Sequence, residues 1–305
     1  MGKRIFLFLV TNILVMVAIT IVMSIIGIFF PGFGRISHGG QLQLGALFAM
    51  CLVWGMVGSF VSLLISRWMA KRSMGVELVD GNTGNADLDW LHATVARLSR
   101  EAGLPMPEVG YYESPEVNAF ATGPSKSRSL VAVSTGLLRT MNRAETEGVL
   151  AHEVSHIGNG DMVTMTLIQG VVNAFVMFFA RIVGWAVGQA LSNRDSDDDR
   201  PGIGVYLAQM GVTIAAEIVF GILASTITAW FSRTREYRAD AGAARLAGRD
   251  KMIAALRKLQ SYHETIDPRG AELATMKISG KAGWMALFST HPDLDKRIAA
   301  LEAGR

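Results

Sequence analysis

An α+β membrane protein is the fold class this chain predicts, on three observations. Four long stretches are almost free of charge. Two polar blocks remain beside them, and those blocks mix helical apolar spacing with short strand-like runs. Of the 305 residues, 50% are hydrophobic and only 18% charged, with a mean hydropathy of +0.32. That is too apolar for an ordinary soluble domain, and the excess is concentrated in the four stretches.

The first stretch, Ile5–Phe30, carries no charge and is long enough to cross ~30 Å of hydrocarbon as a helix. Lys3 and Arg4 precede it, as in a secretory leader, but it exceeds a leader's apolar core and no small-residue cleavage site follows. Pro31-Gly32-Phe33-Gly34 reads as a turn into the second uncharged stretch, Leu42–Ile65. Val163–Leu191 is interrupted by Arg181, and Ile203–Phe231 by Glu217. We expect four transmembrane helices in two hairpins, 5–66 and 163–231. Charge inside a span is costly, so mutual pairing or a wet cavity is the simplest account of Arg181 and Glu217, although Arg181 lies nearer the outer end of its span. A proton or ion pathway is the sharper alternative.

Basic residues near the span ends set orientation. Lys3 and Arg4 precede the first span, Arg67, Lys71 and Arg72 follow the second, and Arg233, Arg235 and Arg238 follow the fourth. The segment between the last two spans is acidic from Asp195 to Asp199, and the first outer loop carries only Arg35. Both termini and the polar blocks are therefore expected in the cytoplasm of a multi-pass protein in the lipid bilayer. The pI near 9.1 follows from membrane-flanking Lys and Arg, so no nucleic-acid partner is needed to explain it. The single cysteine, Cys51, allows no internal disulfide.

The polar blocks, 67–162 and 232–305, are each small, and together they suffice for one compact domain. In the first, Leu88, Leu91, Val95 and Leu98 have helical spacing and predict a helix over Ala86–Ala102. Glu108–Tyr112, Glu116–Thr122 and Ser129–Ser134 read as strands between Ser, Pro and Gly signals, with Asn118–Ala121 as an open edge. A helix is expected over Ala144–Ile157, stopped by Gly158-Asn159-Gly160. The second block reads as helices Arg233–Ala247, Asp250–Tyr262 and Pro292–Glu302.

The helix Ala144–Ile157 carries His152-Glu153-Val154-Ser155-His156. Imidazoles four apart lie on one helix face and can close on a single tetrahedral Zn2+, one per chain, with Glu153 beside the open position. The metal acidifies bound water, and the carboxylate can take its proton during attack on a carbonyl. The pattern arises by chance in about 1% of chains of this length. It lies in polar sequence just before an apolar span, which places the site at the membrane surface rather than within the bilayer. A third ligand is then required. His38 falls in a predicted outer loop, and His92 is most simply a surface or packing residue. Glu236 and Asp240 share a helix face, so Glu236 could bind metal while Asp240 accepts from a ligand imidazole. Pairing with Arg235 or Arg238 as surface charges is the competing reading.

His152–Asp161 together with Ser232-Arg233-Thr234-Arg235-Glu236-Tyr237-Arg238-Ala239-Asp240 resembles the HtpX family of bacterial membrane metalloproteases, relatives of the CAAX prenyl proteases. Asn118–Gly123 and His291-Pro292 with Arg297 fit the same pattern, and the likeness runs over essentially the whole chain. The resemblance implies a mainly helical, cytoplasmic zincin-type protease domain with a small β-sheet. It implies zinc ligands His152, His156 and Glu236, general base Glu153, and Asp240 as the acidic position beyond the third ligand. It further implies the bacterial inner membrane, and damaged or misfolded membrane proteins as substrates in quality control and stress response.

Asn118 is expected to hold substrate backbone across the metal, or to cap its own turn. His291 is a candidate oxyanion donor, or a loop residue before proline. Arg297 supports that site or, as the preferred reading, anchors the last helix. A transporter or scaffold with a structural metal is the rival class. Structural zinc sites are closed, often with Cys, and the polar blocks contain none. A CAAX-type processing protease is the narrower rival, against which the short four-span plan argues.

Overall fold

The computed structural model describes residues 2–29, 37–38, 41–192, 202–266 and 291–304. The expected turn at Pro31–Gly34 and the acidic segment Asp195–Asp199 lie outside them. The chain divides into two units: residues 1–8, 63–165 and 229–305 form the first, and residues 9–62 and 166–228 the second.

The second unit contains most of helix α1 (Gly2–Phe29), a two-residue ladder of β1 (Ser37–His38) and β2 (Gln41–Leu42), and the apolar parts of three long helices. These are α2 (Leu44–Met74), α6 (Asp161–Ser192) and α7 (Ile203–Leu246). All three are long and apolar enough to cross a membrane. Leu47, Cys51 and Gly55 form one buried stripe on α2. A Cβ on Gly55 would stand 2.4 Å from the Gly170 carbonyl oxygen, so α2 and α6 pack backbone to backbone. Phe48 fills the gap against Phe175 and Phe178. The outward residues are large and apolar: Ile218, Ile222, Leu223, Ile227 and Trp230 on α7 are each more than half exposed, a surface suited to lipid. Arg181 and Glu217 face each other, with Nη1 3.6 Å from Oε1, so the depth mismatch expected from sequence does not separate them.

The first unit is built on a four-stranded sheet of order β3-β4-β6-β5, with β3 Glu77–Val79, β4 Glu108–Tyr112, β5 Ala119–Thr122 and β6 Leu130–Ser134. β4 and β6 run parallel, while β3 and β5 are antiparallel to their neighbours. Alternation along the strands gives the sheet two apolar faces. Val109, Val131 and Val133 meet Leu91, Val95 and Leu98 of α3 (Ala86–Glu101) and Leu150, Val154 and Ile157 of α5 (Arg143–Asn159). Met252 and Leu256 of α8 (Arg249–Ile266) and Ile298 and Leu301 of α9 (Leu294–Glu302) complete that core. Tyr112, Leu130 and Ala132 look the other way, toward Ala70 and Val76, and Glu108 ties β4 to Arg67 and Lys71.

Two expectations are corrected, and two elements are added. Arg233–Ala247 is not a separate helix but the end of α7, because neither proline nor glycine stands at the junction of the apolar run and the polar block, Phe231-Ser232-Arg233. The strand expected from Glu116 begins at Ala119, since residues 116–118 turn around the Ser134 hydroxyl. Strand β3 and the short helix α4 (Thr135–Thr140) were not anticipated.

Candidate active site

Helix α5 starts on a reciprocal cap. The Asn142 side chain accepts from the Glu145 N–H, and the Glu145 carboxylate accepts from the Asn142 N–H. Leu150, Ala151, Val154 and Ile157 bury one flank of the helix in the core. His152 and His156 project together from another, with ring centroids 4.5 Å apart. Helix α5 also fits closely against α8, where a Cβ on Gly148 would lie 2.6 Å from the Lys251 carbonyl oxygen.

Among the described residues, His152, His156 and Glu236 form the one group able to hold a metal ion, with ligand atoms all within 4.8 Å of one another. The two Nε2 atoms are 3.0 Å apart. Glu236 Oε2 stands 3.5 Å from His152 Nε2, and Oε1 stands 3.4 Å from His156 Nε2. Atoms bound about 2.0–2.1 Å from one tetrahedral zinc are separated by about 3.3 Å, so the donor set fits such an ion. Glu236 is 2% exposed, and a buried carboxylate of this kind needs cationic or hydrogen-bonding partners.

Each imidazole has a carboxylate behind it, in hydrogen-bond contact for His156 and at ion-pair distance for His152. His152 Nδ1 lies 2.9 Å from Asp240 Oδ1. His156 Nδ1 lies 2.6 Å from Asp161 Oδ2. Asp240 is gripped in turn by Arg297, whose Nε donates to Oδ2 at 2.8 Å and Nη2 to Oδ1 at 2.6 Å. Arg297 Nη1 also reaches within 3.5 Å of Glu236 Oε2. Burial opposes charge on His156, yet the carboxylates of Asp161 and Glu236 outweigh it and raise its pKa to about 9. His152 is likewise raised, burial being overcome by Asp240 and Glu236. Burial would raise Glu236 and Asp240. Instead the imidazoles hold Glu236 far below the usual carboxylate range, and Arg297 and His152 lower Asp240. Glu153 is buried beside the ligands, and its charge acts on both histidines.

The other expected residues are placed less tightly. His291 is 65% exposed, and its Nδ1 is 3.2 Å from Glu236 Oε2. Asn118 is exposed at the foot of β5. Its backbone exchanges hydrogen bonds with Ser134, donating to Oγ at 3.1 Å and accepting from N–H at 2.9 Å. β5 is the edge strand, and Ala119 and Ala121 pack toward the core beneath α5. Arg297, which the sequence placed first as an anchor of the last helix, is buried against two site carboxylates. Asp161 was missed as a partner of His156. Its signal was an acid directly after the glycine that ends the motif helix.

A helix-borne pair of histidines and a distant glutamate, in a chain with membrane-length apolar helices, define a membrane metallopeptidase. Residues 85–305 match Peptidase family M48. The chain belongs to that family and, within it, to the HtpX proteases. Protease HtpX of Shewanella oneidensis is 51% identical over 301 residues, covering 99% of both chains. Protease HtpX homolog of Bacillus licheniformis is 54% identical over 307 residues, covering 99% of this chain and all of that one. Among solved structures, Ste24p of S. mikatae shares the fold, with a TM-score of 0.60 at 16% identity over 99% of this chain and 67% of that one.

Proposed function

We propose that the protein is a zinc metalloendopeptidase of the bacterial inner membrane. On this reading it cleaves damaged or misfolded membrane proteins on the cytoplasmic side, as part of quality control and the stress response. The convergence of His152, His156 and Glu236 on one point, with Glu153 beside it, carries the reading. The donor set of two imidazoles and one carboxylate favours zinc and would supply three of its four ligands. Zinc held there supplies a Lewis acid that acidifies water and polarises the scissile carbonyl.

Glu153 accepts the proton of the attacking water and returns it to the leaving amine. Asp240 stands behind His152 and would keep its Nε2 free for the metal. His291 donates to the oxyanion at the open rim of the site. The free edge of β5, beginning at Asn118, pairs with an extended substrate backbone and lays it along α5. Relatives named Protease HtpX support peptide hydrolysis, and the charge pattern at the helix ends supports four spans with cytoplasmic termini. The two polar blocks, 67–162 and 232–305, then make one protease domain interrupted by the hairpin 163–231, with the hairpin 5–66 preceding both.

The deciding variant is Glu153→Gln, which keeps shape and removes the base. Zinc content is expected to remain stoichiometric while cleavage of a membrane-protein substrate falls by at least about a hundredfold. Full turnover in that variant would refute the general-base assignment.

A further inference from the structure

Asp161 closes the stretch His152–Asp161 without a role assigned to it from sequence, and it lies five positions beyond His156. Within one α-helix that spacing turns a side chain away from the first, because helical neighbours stand three or four apart. Here the helix is interrupted. Gly160 ends α5 in the left-handed region at φ 69°, and its carbonyl accepts the first bond of α6 from Thr164. That reversal starts α6 at Asp161 and points its carboxylate back at His156.

The contact has the marks of a built one. Asp161 is 2% exposed, and Oδ2 lies 2.6 Å from Nδ1, shorter than an ordinary N–H···O hydrogen bond. The two ligand imidazoles are therefore held by unlike devices. Asp240 shares its charge between His152 and Arg297. Among the described residues, no lysine or arginine lies within ion-pair distance of Asp161, so its charge is directed at His156 alone.

On the zinc-peptidase reading above, we infer that Asp161 is a positioning residue for the metal: it takes the Nδ1 proton of His156 in a hydrogen bond, fixes the tautomer, and leaves Nε2 as the donor to the ion. Gly160 is part of the device, because only its left-handed turn brings the carboxylate within reach. Space around Gly160 is open, so a side chain there meets no clash and strains only the backbone. An acid at the start of α6 also suits the helix dipole. That role alone affects stability and leaves metal affinity untouched.

The test uses the full-length protein in detergent, with zinc affinity measured by competition against a chelating dye in a Glu153→Gln background, and melting followed in parallel. Asp161→Ala is expected to weaken zinc about 10–100-fold. Asp161→Asn, which keeps an acceptor but loses the charge, is expected to weaken it several-fold. Gly160→Ala should fall in the same direction. With Glu153 intact, Asp161→Asn should lower kcat with little change in KM. A folded Asp161→Ala protein with parental zinc affinity overturns the inference. If the alanine variant does not fold, parental affinity in Asp161→Asn overturns it equally. His156→Ala separates the two levels: retained tight zinc there defeats the metal-site reading itself, whereas loss there with no effect at Asp161 defeats only the positioning role.

Discussion

At the scale of single residues, protons and the metal compete for the same nitrogens. His156 has a metal-free pKa of about 9, above its ordinary value of 6.5. Its protonated form therefore stabilises the metal-free fold fully below pH 6.5, and that contribution is lost as pH rises through about 9. Zinc needs neutral imidazoles, so its affinity changes in the opposite sense and should rise by at least about tenfold per pH unit while His156 is mostly protonated, and more steeply where His152 is protonated too. Melting curves with and without zinc at pH 6.5, 7.5 and 9 should show a gap that widens with pH; a constant gap would mean that His156 carries no proton for zinc to displace. Arg297 gives a second residue-scale prediction. Arg297→Met leaves Asp240 and Glu236 buried beside a lost cation, and breaking such a pair costs about 3–5 kcal/mol. Adding Asp240→Asn should recover part of that loss in denaturant unfolding, because the unpaired charge is removed with its partner. Additive losses would show that Arg297 does not act through Asp240.

At the scale of elements, the site depends on how closely α7 lies on α5. A Cβ on Gly242 would fall 2.5 Å from Ser155 Oγ and 2.8 Å from its Cβ, and Ser155 is itself buried and bonded to the Ala151 carbonyl. Gly242→Ala must push apart the helix carrying Glu236 and the helix carrying both histidines. Zinc affinity is expected to fall at least about tenfold. Ser155→Gly in the same chain removes both clashing atoms and should restore affinity, at about 1 kcal/mol of helix propensity. Failure of that rescue would place the effect of Gly242 elsewhere. The same two helices show what was legible in the sequence. His152, His156, Glu236 and Asp240 could be read because spacing by four states a shared helix face without tertiary knowledge. Asp161 could not, since its approach needs a break at Gly160 that ends one helix and starts another. Arg297 reaches Asp240 across 57 positions, and no local pattern announces such a pairing. The length of α7 was hidden because an amphipathic pattern taking over from an apolar run looks like two elements when nothing breaks the backbone between them.

At the scale of the whole molecule, the catalytic unit is assembled from chain segments that the sequence keeps apart. Residues 63–165 supply His152 and His156, and residues 229–305 supply Glu236, 80 positions after His156. On the proposed function, a metal bound by both segments would be a cross-link available only to the folded unit, and its free energy would be added to folding. At free zinc a thousandfold above its dissociation constant, that amounts to about 4 kcal/mol. The second unit, residues 9–62 and 166–228, contains none of the residues His152, His156 and Glu236 and packs through contacts such as Gly55 on Gly170 and Phe48 on Phe175. Chelation should therefore act unequally. Amide exchange is expected to accelerate roughly a thousandfold for the globally protected amides of β4, β6, α5 and α8, and to stay unchanged in the apolar cores of α2 and α6. Peptide-resolved hydrogen exchange on zinc-loaded and chelated protein reads both units at once. Equal acceleration in the two would show that the metal stabilises the molecule as one body, and no acceleration in the first would show that its fold stands without the cross-link.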